Sequence, residues 1–356
     1  MSDPILYKCT PRQARRFITE DILPAGLVPF VHSSPGMGKS AMMHSIADEY
    51  QLQLIDHRLS TSTPEDLSGL PDFNRDLDVP TATFRPFDTF PVESTPVPAG
   101  KQGWLLFLDE ANSATKNVQA ASYKLVLDKQ VGQHKLNPRV AVAMAGNLTT
   151  DRAIVTSLST AMQSRIVHLE LELDLREFLE DVAIPKGWDG RILGYLSYKG
   201  LPALHDFRPD HDDKTFNCPR TWEFMNRLIQ GKKVTEEKAA LYAGTITSGT
   251  AADFVTYCLV AENLPKFRDI VGDPEGMFLP TDPPTRWNTV THLMEHVDDD
   301  TFAPVAAYVN RLPAEFRVLF FRALQIRKPK LREHPVFRKA LLELSRYLHD
   351  DLPTAA

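Results

Sequence analysis

Ser33-Ser34-Pro35-Gly36-Met37-Gly38-Lys39-Ser40 is the stretch from which the rest of the chain can be read. Ahead of it stands Leu27-Val28-Pro29-Phe30-Val31-His32, an apolar run of strand length whose proline suits a strand start or an edge better than a central position. Behind it, Lys39 to Glu49 carries Ala41, Met42, Met43, Ile46 and Ala47 at helical spacing, and Leu52-Gln53-Leu54-Ile55 then alternates like a second strand. Strand, glycine-bearing loop, helix and strand together are the raw material of a parallel sheet. The loop has the composition of a phosphate cradle. Gly36 and Gly38 tolerate the dihedrals that turn backbone N–H groups inward, Lys39 brings charge to β and γ phosphates, and Ser40 brings a hydroxyl to Mg²⁺. The helix N-terminus adds its dipole. Ser34, Pro35, Gly36, Met37, Gly38, Lys39, Ser40 and Ala41 are therefore the candidate nucleotide-contacting residues. The pattern GxxxxGKS/T is departed from at its first position, where Ser33 replaces glycine.

Moving outward, Trp104-Leu105-Leu106-Phe107-Leu108 reads as a buried strand that ends in Asp109 and Glu110. Ligands of parallel sheets bind beyond the carboxyl ends of the strands, so both carboxylates should emerge beside the loop. Asp109 would hold Mg²⁺ together with Ser40, and Glu110 would orient and polarise an attacking water. A helix is expected from about Ala114 to Lys129, a strand over 139–145 and a half-buried strand over 165–171. A capped helix near Thr10-Pro11 precedes them. Five strands separated by helices predict a doubly wound α/β domain over residues 1–173. Pro64, Pro71, Pro80, Pro86, Pro91, Pro96 and Pro98 exclude a long helix between the second and third strands and favour turns and short extended pieces.

Strand signals fade beyond Asp174. Helical patterns near 175–184, 189–198, 219–230, 235–247 and 251–262 suggest a smaller all-α unit over 174–265. An irregular Gly- and Pro-containing region near 272–286 and a helical segment from about Asn288 to Asp350 make up an extension over 266–356.

With these motifs in place the chain resembles the AAA+ ATPases over roughly residues 10–230, and within them the MoxR-like group, which includes activators of metalloenzymes and of rubisco. Ser60-Thr61-Ser62-Thr63-Pro64-Glu65-Asp66-Leu67-Ser68-Gly69 is similar to that group's segment after the second strand, and Leu108-Asp109-Glu110-Ala111-Asn112 to its Walker B continuation. The resemblance implies a five-stranded P-loop AAA+ core, an α-helical lid and an insertion at about 63–103 that is either a hairpin facing a pore or partner or a passive solvated loop. It implies ATP/ADP and Mg²⁺ as ligands, a homo-oligomer, in this group a hexameric ring, and a protein partner that often carries a von Willebrand A domain. Asn147, in Ala145-Gly146-Asn147, fits the sensor 1 position, although Gly-Asn is also a good turn. Arg165 matches the arginine placed before the fifth strand to reach a neighbouring subunit's γ-phosphate; Arg152 is a rival, and an ordinary surface ion pair is the plain alternative. Cys218-Pro219-Arg220 resembles the sensor 2 motif with cysteine in place of serine, so Arg220 would contact nucleotide from the lid or else simply cap or bridge its helix.

The 356 residues suggest about two compact units, and 43% hydrophobic with 24% charged residues is ordinary for a globular chain. The net charge of −6 argues against a dedicated nucleic-acid binder, which leaves a nucleic-acid loader, or a scaffold with little turnover, as alternatives to a remodeller of proteins. No apolar run reaches the roughly 18 residues of a membrane span, and the N-terminal stretch reads without a signal-peptide core, so a cytoplasmic location is expected. Cys9, Cys218 and Cys258 lack metal-ligand spacing and read as reduced bystanders. His44 reads as a packed or surface histidine, the basic cluster 326–332 as a solvated connector with a partner contact as the lesser reading, and Asp298-Asp299-Asp300 as a helix cap.

Overall fold

The computed structural model describes residues 8–74, 81–151, 157–260 and 264–345. It divides into two compact units, one of residues 1–173 with 208–210, the other of 174–207 with 211–356.

The strands of the first unit are β1 (Lys8–Cys9), β2 (Pro29–Ser33), β3 (Leu52–Arg58), β4 (Leu70–Asn74), β5 (Thr81–Arg85), β6 (Gly103–Asp109), β7 (Gln130–Val131), β8 (His134–Lys135), β9 (Val140–Asn147) and β10 (Val167–Leu171). Its helices are α1 (Pro11–Arg16), α2 (Lys39–Glu49), α3 (Pro64–Ser68), α4 (Lys116–Tyr123) and α5 (Thr160–Gln163). Six strands form one parallel sheet in the order β1-β10-β2-β9-β6-β3. The expected five-stranded sheet thus gains a sixth, edge strand, the two-residue β1 beside β10, which is too short to show any periodicity. β2 lies inside the sheet, and Pro29 is tolerated because it is the strand's first residue, where a missing N–H costs little.

Alternation along the strands loads both faces of the sheet. Val28, Phe30, Trp104, Leu106, Leu108, Val142 and Met144 pack with Leu67, Val118, Leu125 and Met162 from the α3, α4 and α5 side. Val31, Leu105, Phe107, Ala143 and Ala145 are fully buried on the other face, where α2 packs on β2, β3 and β6. All seven residues of β6 are buried, as a central parallel strand requires. α1 begins with the cap read from the sequence: Gln13 N–H donates to Thr10 Oγ1 and Thr10 N–H to Gln13 Oε1. α4 ends earlier than expected, because the chain continues as a π-helical turn over Lys124–Asp128.

The proline-rich stretch contains the antiparallel hairpin β4–β5, with Pro71 facing Phe84 and Phe73 facing Ala82. Phe73 and Phe84 are 65% and 41% exposed, so this hairpin shows solvent an apolar face. At its foot a Cβ on Gly69 would lie 2.3 Å from Arg85 O, and φ +88° at the same residue excludes other side chains in any case. The short hairpin β7–β8 left no legible signal.

The second unit is helical: α6 (Leu175–Phe178), α7 (Gly190–Lys199), α8 (Leu201–Leu204), α9 (Pro219–Ile229), α10 (Ala239–Ala243), α11 (Ser248–Val260), α12 (Phe267–Gly272), α13 (Pro283–His296), α14 (Phe302–Asn310), α15 (Ala314–Arg327) and α16 (Pro335–Glu343). α13 packs against α7, so residues on both sides of position 265 share one core. The expected helix over 235–247 is shorter, because Gly244 caps α10 after one 3₁₀ turn and five α-helical residues. Helices also enter the stretch 272–286 from both sides, α12 ending at Gly272 and α13 starting at Pro283 behind the Asp282 cap.

The basic cluster is partly spent on structure. Arg327 donates to Ile184 O (3.1 Å) and to Trp188 O (2.7 Å) just ahead of α7, and Lys328 Nζ donates to Glu295 O and Val297 O at the C-terminal end of α13. Asp298 accepts from Thr301 N–H (2.9 Å) and so closes the turn ahead of α14; the N-cap of that helix is Thr301, so the acidic run does not cap the helix itself as expected. His44 is exposed, 3.8 Å from Asp56. All three cysteines are free and buried. Among the described residues no helix is long and apolar enough to cross a membrane.

Candidate phosphate-binding site

The parallel order places the carboxyl ends of β2, β9 and β6 side by side, with Ser33 opposite Asn147 and Leu108 opposite Met144. The loop leaving β2 holds Gly36 at φ +77° and Gly38 at φ +87°, and Gly38 is the N-cap of α2. A Cβ on Gly38 would meet nothing within 4 Å, so dihedral freedom, not space, demands glycine there. Ser33 is absent from the positive-φ residues and closes β2 as ordinary strand, so the departure from the loop pattern places no strain on the backbone.

Lys39, only 9% exposed, donates from Nζ to Ser33 O (2.9 Å), Ser33 Oγ (3.0 Å), Ser34 O (3.3 Å) and Asn147 Oδ1 (3.2 Å). A buried ammonium is tolerable because oxygen atoms surround it. Ser40 Oγ donates to Asp109 Oδ2 at 2.9 Å, and the other oxygen of Asp109 accepts from Glu110 N–H at 2.8 Å. Glu110 follows in the left-handed region at φ +55°, a conformation that costs a non-glycine residue about 1–2 kcal/mol. Its Oε2 accepts a hydrogen bond from Ser60 Oγ.

Asn112 is 5% exposed and binds both backbone groups of Asn147: its Nδ2 donates to Asn147 O (2.7 Å) and its Oδ1 accepts from Asn147 N–H (3.0 Å). Gly146 permits this approach, since a Cβ there would lie 2.4 Å from Asn112 Oδ1. His32, just before Ser33, stacks on Phe30 with centroids 5.4 Å apart and meets His168 edge-on at 6.0 Å. Burial, then His168 and Lys39, hold its pKa down at about 4, so the ring is neutral near pH 7.

The structure thus forms two hydrogen-bonded pairs, Lys39 with Asn147 and Ser40 with Asp109, that adjoin through the consecutive residues 39 and 40, with Glu110 joined to the second pair through Asp109. It does not bring in Arg165, which is exposed and donates to Ala161 O (3.0 Å) on its own side of the turn before β10. Arg152 lies outside the described residues. Arg220 is exposed at the start of α9 in the second unit. Its neighbour Cys218 is the N-cap, with Thr221 Oγ1 3.6 Å from the sulfur, so cysteine takes the capping place of the expected serine. Sequence reading missed Ser33 as an acceptor for Lys39, Ser60 as the partner of Glu110 and Asn112 as the clamp on Asn147. Ser60 and Asn112 both fall in segments that carry the family resemblance, but their partners are 50 and 35 residues away along the chain.

No family model matches the chain. No curated relative matches it either. Among solved structures it is similar to a protein from Cytophaga hutchinsonii described as a candidate ATPase, at 14% identity over 94% of this chain and 87% of that one, with a TM-score of 0.33. It is also similar to a RuvB variant from Thermotoga maritima, at 15% identity over 83% of this chain and 87% of that one, with a TM-score of 0.36. Likenesses at this level transfer no activity, and what the site can do rests on its own atoms.

Those atoms suit a magnesium nucleotide. Ser40 and Asp109 offer two hard oxygen ligands beside a helix N-terminus, and no group of three or more His, Cys, Asp or Glu among the described residues forms a separate metal cage.

Proposed function

We propose that this protein is a Mg²⁺-dependent AAA+ ATPase that converts ATP and water to ADP and phosphate. In this reading it works as a MoxR-type ring motor that remodels or activates a protein partner. The observation that carries the reading is the convergence of a buried lysine, the Ser40–Asp109 pair and Asn147 at the ends of three adjacent parallel strands, with Glu110 next in the chain.

Residues Ser34 to Ala41 would hold the phosphates of ATP, and Ser40 and Asp109 the metal, which when bound supplies Lewis-acid charge to phosphoryl oxygens. The rest falls to the chain. Lys39 is held by neutral oxygens that it can exchange for phosphate oxygens, a charge-assisted gain. Glu110 orients and polarises the attacking water and takes up its proton, and its bond to Ser60 holds the carboxylate in one rotamer beforehand. Asn147 offers a neutral amide to the γ-phosphate or the water. Arg165, exposed and without a carboxylate partner among the described residues, would act on a neighbouring subunit's site. Arg220 would sense nucleotide from a lid formed by 174–265, braced by residues 266–356 through α13 on α7. The role of Arg165 calls for a homo-oligomer, in this reading a hexamer, and a partner with a von Willebrand A domain would present the target.

The test is direct. Lys39→Ala should lose nucleotide binding, whereas Glu110→Gln should bind ATP like the wild type and turn it over about 10²–10⁴-fold more slowly. Equal hydrolysis by Glu110→Gln and wild type would sink the mechanism. Proteins captured by Glu110→Gln in ATP support remodelling of a protein; captured nucleic acid, with a salt-sensitive stimulation of turnover, overturns that part.

A further inference from the structure

β6 and β9 run side by side only as far as Leu108 and Met144. Beyond that point β6 turns away through Asp109 and the left-handed Glu110, while β9 continues for three residues to Asn147. On its far side Asn147 still has Ser33 of β2 as its strand neighbour. On the side that β6 has left, its N–H and C=O would lack backbone partners, and such groups are costly when withdrawn from water. Two contacts fill the gap. Ala111 N–H donates to Ala145 O at 2.9 Å, and one rung further the carboxamide of Asn112 both donates to and accepts from Asn147. A carboxamide carries one donor face and one acceptor face, as a peptide group does, so this side chain acts as one more residue of β6. No other side chain of that size offers both. Gly146 leaves the space that the carboxamide needs.

We propose that Asn112 is a positioning residue: its carboxamide stands in for the missing strand and fixes the backbone of Asn147, so that the Asn147 side chain meets Lys39 and the reacting phosphate in one orientation. The chain of contacts runs from Asn112 to the Asn147 backbone, from Asn147 Oδ1 to Lys39 Nζ, and from Lys39 to the loop carbonyls of Ser33 and Ser34. Asn112 itself makes none of the last two links, which is why its effect should pass through Asn147. The kinetic part of this inference rests on the ATPase reading above; the clamp itself does not.

Asn112→Asp is the sharpest perturbation, because it preserves size and the acceptor for Asn147 N–H but sets a carboxylate oxygen against Asn147 O. Turnover should fall about 10–100-fold with KM for ATP and affinity for ADP changed less than about threefold, the pattern of a contact felt in the transition state. Asn147→Ala should lose a similar amount, and the double variant should be no slower than Asn147→Ala alone, because both changes remove the same interaction. Gly146→Ala, which keeps both asparagines, should reproduce the loss. Wild-type turnover in Asn112→Asp, or a double variant that shows the product of the two single losses, would overturn the proposal. Hydrogen exchange decides the clamp separately: Asn112→Ala should lower protection of the Asn147 amide at least about tenfold while amides of β6 keep theirs. Unchanged protection overturns the clamp whatever the turnover, and a wild type without ATPase activity together with lost protection would refute the ATPase reading and leave the clamp standing.

Discussion

His32 offers a quantitative check on the chemistry beside the phosphate loop. Its ring is packed between Phe30 and His168, its Nε2 has no hydrogen-bond partner among the described residues, and Lys39 lies close enough to oppose its protonation. Burial is the largest cause, and together these hold the folded-state pKa at about 4 against 6.5 in the unfolded chain. Between those values the unfolded chain binds a proton that the native ring refuses. Stability is therefore full above pH 6.5 and is lost as the pH falls through that window, levelling off below 4. From pH 7 to pH 5 the loss comes to about 2 kcal/mol, or about 20-fold in the opening equilibrium. His32→Phe keeps an aromatic ring in the stack and removes the titration. Amide hydrogen exchange in Phe30–Ser33 gives the local readout, and the ratio of wild-type to variant protection cancels the intrinsic pH dependence of exchange. That ratio should drop about 20-fold between pH 7 and pH 5. A ratio that is the same at both pH values would refute the argument that His32 is held neutral by its surroundings.

Two further outcomes are expected. Mixing Arg165→Ala with Lys39→Ala subunits should restore part of the ATPase activity that each lacks alone, since the two defects would then lie on opposite sides of an interface; no recovery at any ratio in confirmed mixed assemblies removes Arg165 as a finger in trans. Arg327→Ala strips the donors from Ile184 O and Trp188 O and should destabilise the second unit by about 1–3 kcal/mol, seen as a lower urea midpoint with an unchanged slope.

The loop and the Asp109-Glu110 strand end were legible because each is local: composition, spacing and strand length sit within a few consecutive residues. The doubly wound class followed from the same alternation of strand and helix signals. Other features depend on pairing. β1 exists because Lys8 and Cys9 find β10 across 162 residues, and two residues alone carry no pattern. Pro29 left the position of β2 open between a start and an edge, and only the sheet order resolves it. The roles of Ser60 and Asn112 follow from where β6 turns, which no local spacing reports. Arg327 and Lys328 read as part of a solvated connector because a basic run looks the same whether its side chains reach water or backbone carbonyls.

The buried thiols have a practical consequence. Burial pushes the Cys258 thiol up to about 12, and Cys9 and Cys218 are 6% and 2% exposed, so none presents a reactive thiolate in the native fold. Cys9 belongs to the edge strand of the first unit, Cys218 and Cys258 to helices of the second. The native sequence is therefore its own set of chemical probes: the order in which an alkylating reagent captures these three sulfurs during denaturation tells which unit opens first, with no label to engineer.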